Sequence, residues 1–282
     1  MSHTLDSAAS TWVSVPPVAP AALSDARLQL HHAAQIANAP AISYLAPAAD
    51  DSHTNFGWVP DLHAFASQRV TLPRPRRFAW RPSDLTLLAL DDTGAPISSL
   101  ALAGRTLEEA HAWTRAQCAA AGADAARYTA RKHYEIPAHA VAAAGQFNAD
   151  PAALRALSQL WANAVPLLDA VAASNAGASD VRLWPHHFDV GLIIALDATR
   201  SIGGGFTPGD YYYDEPYWYI SPYPRPAVAT RPPLAGGAHW HEHEFFSAVL
   251  PWSAVATSRT QGADVAAYLR SAIAAARSLL GA

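Results

Sequence analysis

The chain has few of the residues that usually advertise a function. Its 282 residues include one cysteine, Cys118, one methionine and one lysine, Lys132. A lone cysteine excludes an intrachain disulfide framework and any Cys-based metal site, and its position in an expected helix makes Cys118 a small core residue. Nineteen Lys and Arg stand against 23 Asp and Glu, with a formal net charge of -4 and no basic run. Without clustered cations to neutralise phosphates, nucleic acid is rejected as the main partner. No basic leader with an apolar stretch opens the sequence, so no secretory signal is recognisable and a cytoplasmic location is expected. The most hydrophobic helical segment, Ala263 to Leu280, is of marginal length and carries Arg270 and Arg277, which reads as a packed amphipathic helix and not a membrane span. Gly-x-Ser-x-Gly, His-Glu-x-x-His and a Cys/His pair are all missing, so the standard hydrolase, zinc-protease and thiol-enzyme readings lack support. Gly203-Gly204-Gly205 lacks a following Lys-Ser/Thr and is interrupted by Pro208, so it fails as a phosphate loop and reads as a tight turn or bulge.

What is present is a globular composition, 51% hydrophobic and 15% charged, with enough apolar material to bury a core without structural metal. Residues 1 to 19 are rich in Ser, Ala and Pro and are expected to be loosely ordered. A helix is expected from Ala21 to Asn38, ending before Pro40. Strand-like runs follow at Phe56 to Val59, Ala66 to Leu72, Arg77 to Trp80 and Leu85 to Leu90. Asp91-Asp92-Thr93-Gly94 gives a hairpin into Ile97 to Leu102, because Asp and Gly tolerate positive φ. Thr106-Leu107-Glu108-Glu109 has the form of a capping box and opens a helix that stops at Gly122. Asp150-Pro151 starts another helix, which Pro166 should kink or divide. Further strand-like runs lie at Val181 to Trp184, Val190 to Ala195, Tyr217 to Ile220, His239 to Phe245 and Ala248 to Pro251, before a final helix with its apolar stripe from Val265 to Leu280. The pattern predicts an α+β fold: two strand-rich units, each closed by a helix, in a pseudo-duplicated arrangement around a central helical segment. The expected segments are 1–50, 51–149, 150–178 and 179–282, the last carrying the site.

Five histidines fall in the C-terminal portion, with carboxylates and aromatics, in three blocks: Trp184-Pro185-His186-His187-Phe188-Asp189, Asp210 to Tyr219, and His239-Trp240-His241-Glu242-His243-Glu244. Imidazole is both a metal ligand and a base near neutral pH. On a strand, His239, His241 and His243 would line one face, with His239 and His241 the pair close enough to share a site. Asp189, two residues beyond His187, would be a co-ligand or an orienting carboxylate if the strand continues, whereas a bend at Pro185 would turn His186 inward. Tyr217, Tyr219 and Ser221 would share a face opposite Trp218 and Ile220. The candidate catalytic set is therefore His186, His187, Asp189, Asp210, Glu215 and Tyr217, and the candidate ligand set for a divalent metal ion is His187, Asp189, His239 and His241. The expected partner is a small-molecule ligand, with no membrane. The alternative is a non-catalytic protein that uses the Tyr/Trp-rich stretch from Tyr211 to Tyr223 as a docking or homodimer surface.

These blocks resemble those of an uncharacterised bacterial family, a domain of unknown function, through Trp184-Pro185-His186-His187-Phe188-Asp189, through Pro208-Gly209-Asp210 leading to Glu215-Pro216-Tyr217, and through His239-Trp240-His241. The resemblance runs from about Asn55 to the C-terminus, the N-terminal half matching only in its order of elements. It implies a location for the site and favours His239 and His241 over His243. It implies no particular chemistry.

Overall fold

A computed structural model describes residues 2–227 and 230–282. Its helices are α1 (Ser2–Ser10), α2 (Pro20–Tyr44), α3 (Leu107–Ala120), α4 (Pro151–Ala173) and α5 (Gln261–Leu280). Its strands are β1 (Phe56–Val59), β2 (Ala64–Ser67), β3 (Arg77–Arg81), β4 (Thr86–Leu90), β5 (Pro96–Ala101), β6 (Arg182–Trp184), β7 (Asp189–Ala195), β8 (Ser201–Thr207), β9 (Tyr217–Tyr223), β10 (His239–His241) and β11 (Ser247–Pro251). The fold is α+β, as the sequence predicts. The chain forms two compact units, each built from separated stretches: a first from residues 21–158 and 182–188, and a second from 1–20, 159–181 and 189–282. Among the described residues no helix is long and apolar enough to cross a membrane.

In the first unit β1 to β5 form an antiparallel meander, with β6 paired to the outer side of β1. Two of its connections are alike: Pro60–Leu62 and Pro82–Asp84 are single 3-10 turns led by proline and closed by a residue with positive φ, His63 and Leu85. Asp91 Oδ1 accepts from the amides of Thr93 and Ala95 and so folds the expected hairpin turn. The capping box forms at the start of α3: Thr106 accepts from the Glu109 amide, and Glu109 accepts from the Thr106 amide at 2.8 Å.

In the second unit the strand order is β7-β8-β9-β11-β10, all antiparallel. Both units thus carry a meander followed in sequence by a helix, α3 or α5, and they differ at the end: β10 takes the edge and β11 docks inside it. The register sorts side chains cleanly, because alternate residues on a strand face opposite ways. Val190, Leu192, Ile194, Ile202, Phe206, Trp218, Ile220, Ala248 and Leu250 form one buried apolar face. Helix α5 covers it, and the Tyr268 hydroxyl donates to the Ala248 carbonyl at 2.7 Å. The opposite face is polar.

The structure departs from the sequence reading at Gly203-Gly204-Gly205, at the N-terminus and at Pro40, where the helix is expected to end. Gly203-Gly204-Gly205 lies inside β8 and is not a turn. The N-terminal stretch forms α1, with Leu5 and Val15 fully buried. Gln261 ties it down by accepting from the Trp12 indole and the Val15 amide at 3.1 and 3.0 Å. Helices α2 and α4 both run through their prolines, Pro40 and Pro166. An interior proline costs about 3 kcal/mol; burial of Ile36, Ala37, Ala39 and Ala41 around Pro40, and of Val165, Leu167 and Leu168 around Pro166, offsets it.

Candidate functional site

The polar face of the second unit is shaped first by what glycine leaves open. Gly205 opposes Tyr219 across the ladder, and Gly191 opposes Gly205. A Cβ on Gly205 would sit 2.7 Å from the Tyr219 hydroxyl, and one on Gly191 at 2.9 Å from it. Tyr219 therefore lies flat over two side-chain-free positions, and its hydroxyl donates to Asp189 Oδ2. Beside it, as alternation predicts, stands Tyr217, whose hydroxyl donates to Asp210 Oδ2. The other Asp210 oxygen accepts from the amides of Tyr212 and Tyr213 at 2.8 and 3.1 Å. Asp210 thus shapes the 210–213 turn and fixes two tyrosines at once. Burial, then the neighbouring carboxylates Asp210 and Asp189, push the Tyr217 phenol far above its usual range, and burial with Asp189 does the same to Tyr219. Both phenols are neutral donors.

That turn places Tyr213 against β10. Its hydroxyl lies 2.9 Å from His239 Nε2 and 2.9 Å from His241 Nδ1. The proton positions follow from one further contact: His241 Nε2 is 2.6 Å from the carbonyl oxygen of His243, which can only accept. His241 therefore carries its hydrogen on Nε2 and presents a bare Nδ1, to which Tyr213 donates. A phenol has one proton, so its oxygen must accept from His239 Nε2–H, leaving the lone pair of neutral His239 on Nδ1. Burial, then His241, holds the His239 pKa below its usual value, and burial, then Asp210, raises that of Tyr213. His239 lies on the exposed end of the array.

Other sequence candidates are placed differently. Strand β10 ends at His241, so His243 leaves the face and its side chain is exposed. Both Glu215 oxygens are engaged by Ser253, through its amide at 2.6 Å and its hydroxyl at 2.9 Å. β6 ends at Trp184 and residues 185–188 turn, with Phe188 at φ 63. The strand alternation that would put His187 and Asp189 on one side does not apply, and the bend at Pro185 turns His186 inward while His187 is exposed.

His186 belongs to a second constellation, within the first unit. Its ring lies 4.2 Å from that of His187 and 5.7 Å from that of Tyr134, and its buried Nδ1 has no hydrogen-bond partner among the described residues. Burial, then His187, lowers its pKa. The Pro185 carbonyl accepts from His31 Nε2 and Gln35 Nε2, both at 2.8 Å, while Gln35 Oε1 accepts from the Tyr134 hydroxyl at 2.8 Å. His31 stacks on Phe188 at 4.3 Å, and burial pushes its pKa down to about 3. These α2 residues escaped the sequence reading. Their signal was available: His31, Gln35 and Asn38 recur at i, i+4 and i+7, one helical face, in a segment otherwise dominated by alanine and leucine.

Among the described residues no three His, Cys, Asp or Glu side chains converge to hold a metal ion. Between His239 Nε2 and His241 Nδ1 stands the Tyr213 oxygen.

Fold and site together define an α+β protein with one helix-covered sheet face and one face of phenols, imidazoles and carboxylate. A family of unknown function, DUF5996, has a model that matches residues 197–281, which span β8 to α5 and include Asp210, Glu215, Tyr217, His239 and His241. No curated protein and no solved structure matches the chain.

Proposed function

We propose that the protein binds a polar small molecule on the tyrosine-bearing face of its second unit and transfers a proton there as an enzyme. The observation that carries this reading is the Tyr213 hydroxyl at 2.9 Å from both imidazoles. His239 Nδ1 takes a proton from the ligand. The His239 Nε2 proton then passes to the Tyr213 oxygen, and the Tyr213 proton passes to His241 Nδ1. The charge ends on His241, whose Nε2–H is held by the His243 carbonyl. Tyr217 and Tyr219 offer hydroxyls to the ligand, and Asp210 and Asp189 position them. General acid–base catalysis of this kind contributes about 10²–10⁴-fold in rate. The same residues as ligands of a divalent cation form the metal version of this reading, which stoichiometric metal in tag-free protein would favour.

The test is capture of metabolites from a small-molecule extract by the folded protein, read by mass spectrometry, beside Tyr213→Phe and His239→Gln. Wild type is expected to retain a polar compound and turn it over, whereas Tyr213→Phe, which cuts the relay behind His239, should retain it and turn it over about 10²-fold more slowly or worse. His239→Gln keeps an N–H toward Tyr213 and loses the base, so it should bind the compound and fail to turn it over. Unchanged turnover by Tyr213→Phe, or no retention by wild type, refutes the reading.

Tyr211 and Tyr223, 80% and 66% exposed, favour a second reading, in which the aromatic stretch is a homodimer or docking surface. Light scattering separates the two: a monomer at micromolar concentration removes the homodimer.

A further inference from the structure

The first unit contains a cleft of about 360 Å³ that plays no part in the proton relay. Its apolar lining is Ile42, Pro47 and Tyr134. Tyr134 is a fixed wall, since its hydroxyl donates to Gln35 at 2.8 Å and accepts from Asn38 Nδ2 at 3.5 Å, and Asn38 is fully buried. The lining also includes Arg131 and Lys132, the chain's single lysine. Neither cation has an acidic partner among the described residues. Asp51 is the one acid in the lining, and it is engaged by His133 Nε2 at 3.2 Å. His53 Nδ1 accepts from the Ala48 amide at 3.2 Å, so the neutral ring carries its hydrogen on Nε2 and adds a donor and not an acceptor. Two adjacent cations in one concavity repel each other, and an anion placed between them relieves that repulsion.

We propose that this cleft binds a small organic carboxylate, with its apolar body on Ile42, Pro47 and Tyr134 and its carboxylate held by Arg131 and Lys132. A planar guanidinium and an ammonium together satisfy both carboxylate oxygens, and hydrogen bonds between charged groups are roughly twice as strong as neutral ones. The cleft holds a ligand about the size of one substituted ring, the low end of small-molecule sites.

Benzoate, benzamide and inorganic phosphate are the probes, titrated calorimetrically into the full chain at about 20 and about 300 mM salt. Benzoate should bind, more weakly at high salt, and benzamide about tenfold less tightly because it lacks the charge. Arg131→Gln and Lys132→Gln should each weaken benzoate about tenfold, and Lys132→Arg should restore most of it. Unchanged melting temperatures are expected for all three variants, because neither side chain holds another part of the fold. Benzamide binding as well as benzoate, Gln variants that bind like wild type, or no benzoate binding would each overturn the proposal. Phosphate binding as tightly as benzoate would overturn the apolar half of it.

Discussion

Gly203 and Gly205 lie two residues apart on β8 and face the same side of the sheet, so alanine at each is a matched test of how the polar face is built. At Gly205 a Cβ would lie 2.4 Å from the Val190 carbonyl oxygen, 2.7 Å from the Tyr219 hydroxyl and 2.9 Å from Tyr219 Cε1. The carbonyl belongs to β7, paired with β8, and the phenol is tied to Asp189, so neither yields without loss of a contact. Overpacking of this kind costs about 1–3 kcal/mol, and a backbone obstacle puts Gly205→Ala at the upper end. At Gly203 the nearest atom is the Ser221 carbonyl oxygen at 3.9 Å, an ordinary contact on extended backbone. There alanine restricts the unfolded chain and stabilises by about 0.4–1 kcal/mol. The two variants should therefore differ by about 3 kcal/mol, or about 2–4 °C in Tm for each kcal/mol. Calorimetry and urea unfolding read the difference, and near-ultraviolet circular dichroism should change for Gly205→Ala alone as Tyr219 is displaced. Equal midpoints for both variants would show that Tyr219 does not lie across Gly205, and the construction of the face would fall with it.

His31 supplies a pH prediction. Burial lowers its pKa from 6.5 to about 3, so the folded protein keeps it neutral while the unfolded chain protonates it. Stability is full above pH 6.5 and falls by about 1.4 kcal/mol per pH unit on acidification from 6.5 toward 3. Urea unfolding from pH 7 to pH 4 should show a shallower decline for His31→Asn, by one proton's slope, and an unchanged slope would refute the assignment. Thr106→Ala removes the acceptor that caps α3 and should cost about 1 kcal/mol, with Thr106→Ser recovering most of it by the same measurement. A full-strength Thr106→Ala protein would mean that the capping box contributes nothing.

Local chemistry was legible in the sequence, and contacts between distant segments were not. Thr106 to Glu109 and Asp91 to Gly94 state their structures within four residues, because cap and turn need only nearby amides. The alternation of Tyr217, Trp218, Tyr219 and Ile220 gave both faces of β9, and the period of two gave His239 and His241 a common face. β8 was invisible for a physical reason: glycines have no side chains to alternate, and what fixes them in a strand is Tyr219, fourteen residues beyond Gly205. Pro40 misled because a proline penalty is local, whereas the burial that offsets it is tertiary. The cluster of Tyr213, His239 and His241 was half legible. Two histidines on one face were read correctly, but Tyr213 meets them only through the turn that Asp210 folds.

The turn lets Asp210 act on the Tyr213 array without touching either imidazole. Its two oxygens hold the Tyr212 and Tyr213 amides on one side and the Tyr217 hydroxyl on the other, so the loop that carries Tyr213 is referenced to β9, while both histidines sit on β10. β11 lies between these strands and fixes their separation through the Val249 pairings with Tyr219 and His239. The 2.9 Å contacts of Tyr213 are therefore set jointly by the Asp210 turn and by the spacing of β9 and β10 across β11. Every member of this arrangement lies within 197–281, the stretch that the DUF5996 model matches, whereas Asp189 precedes it and acts on the face through Tyr219. Asp189→Asn should consequently loosen Tyr219 and leave the His239–Tyr213–His241 contacts in place, and Asp210→Asn should disturb both Tyr213 and Tyr217. Histidine ring ¹⁵N shifts report this directly: the tautomers of His239 and His241 should survive the first substitution and change in the second. The reverse pattern would mean that proton placement on β10 is governed from β7, and the relay as drawn would be wrong.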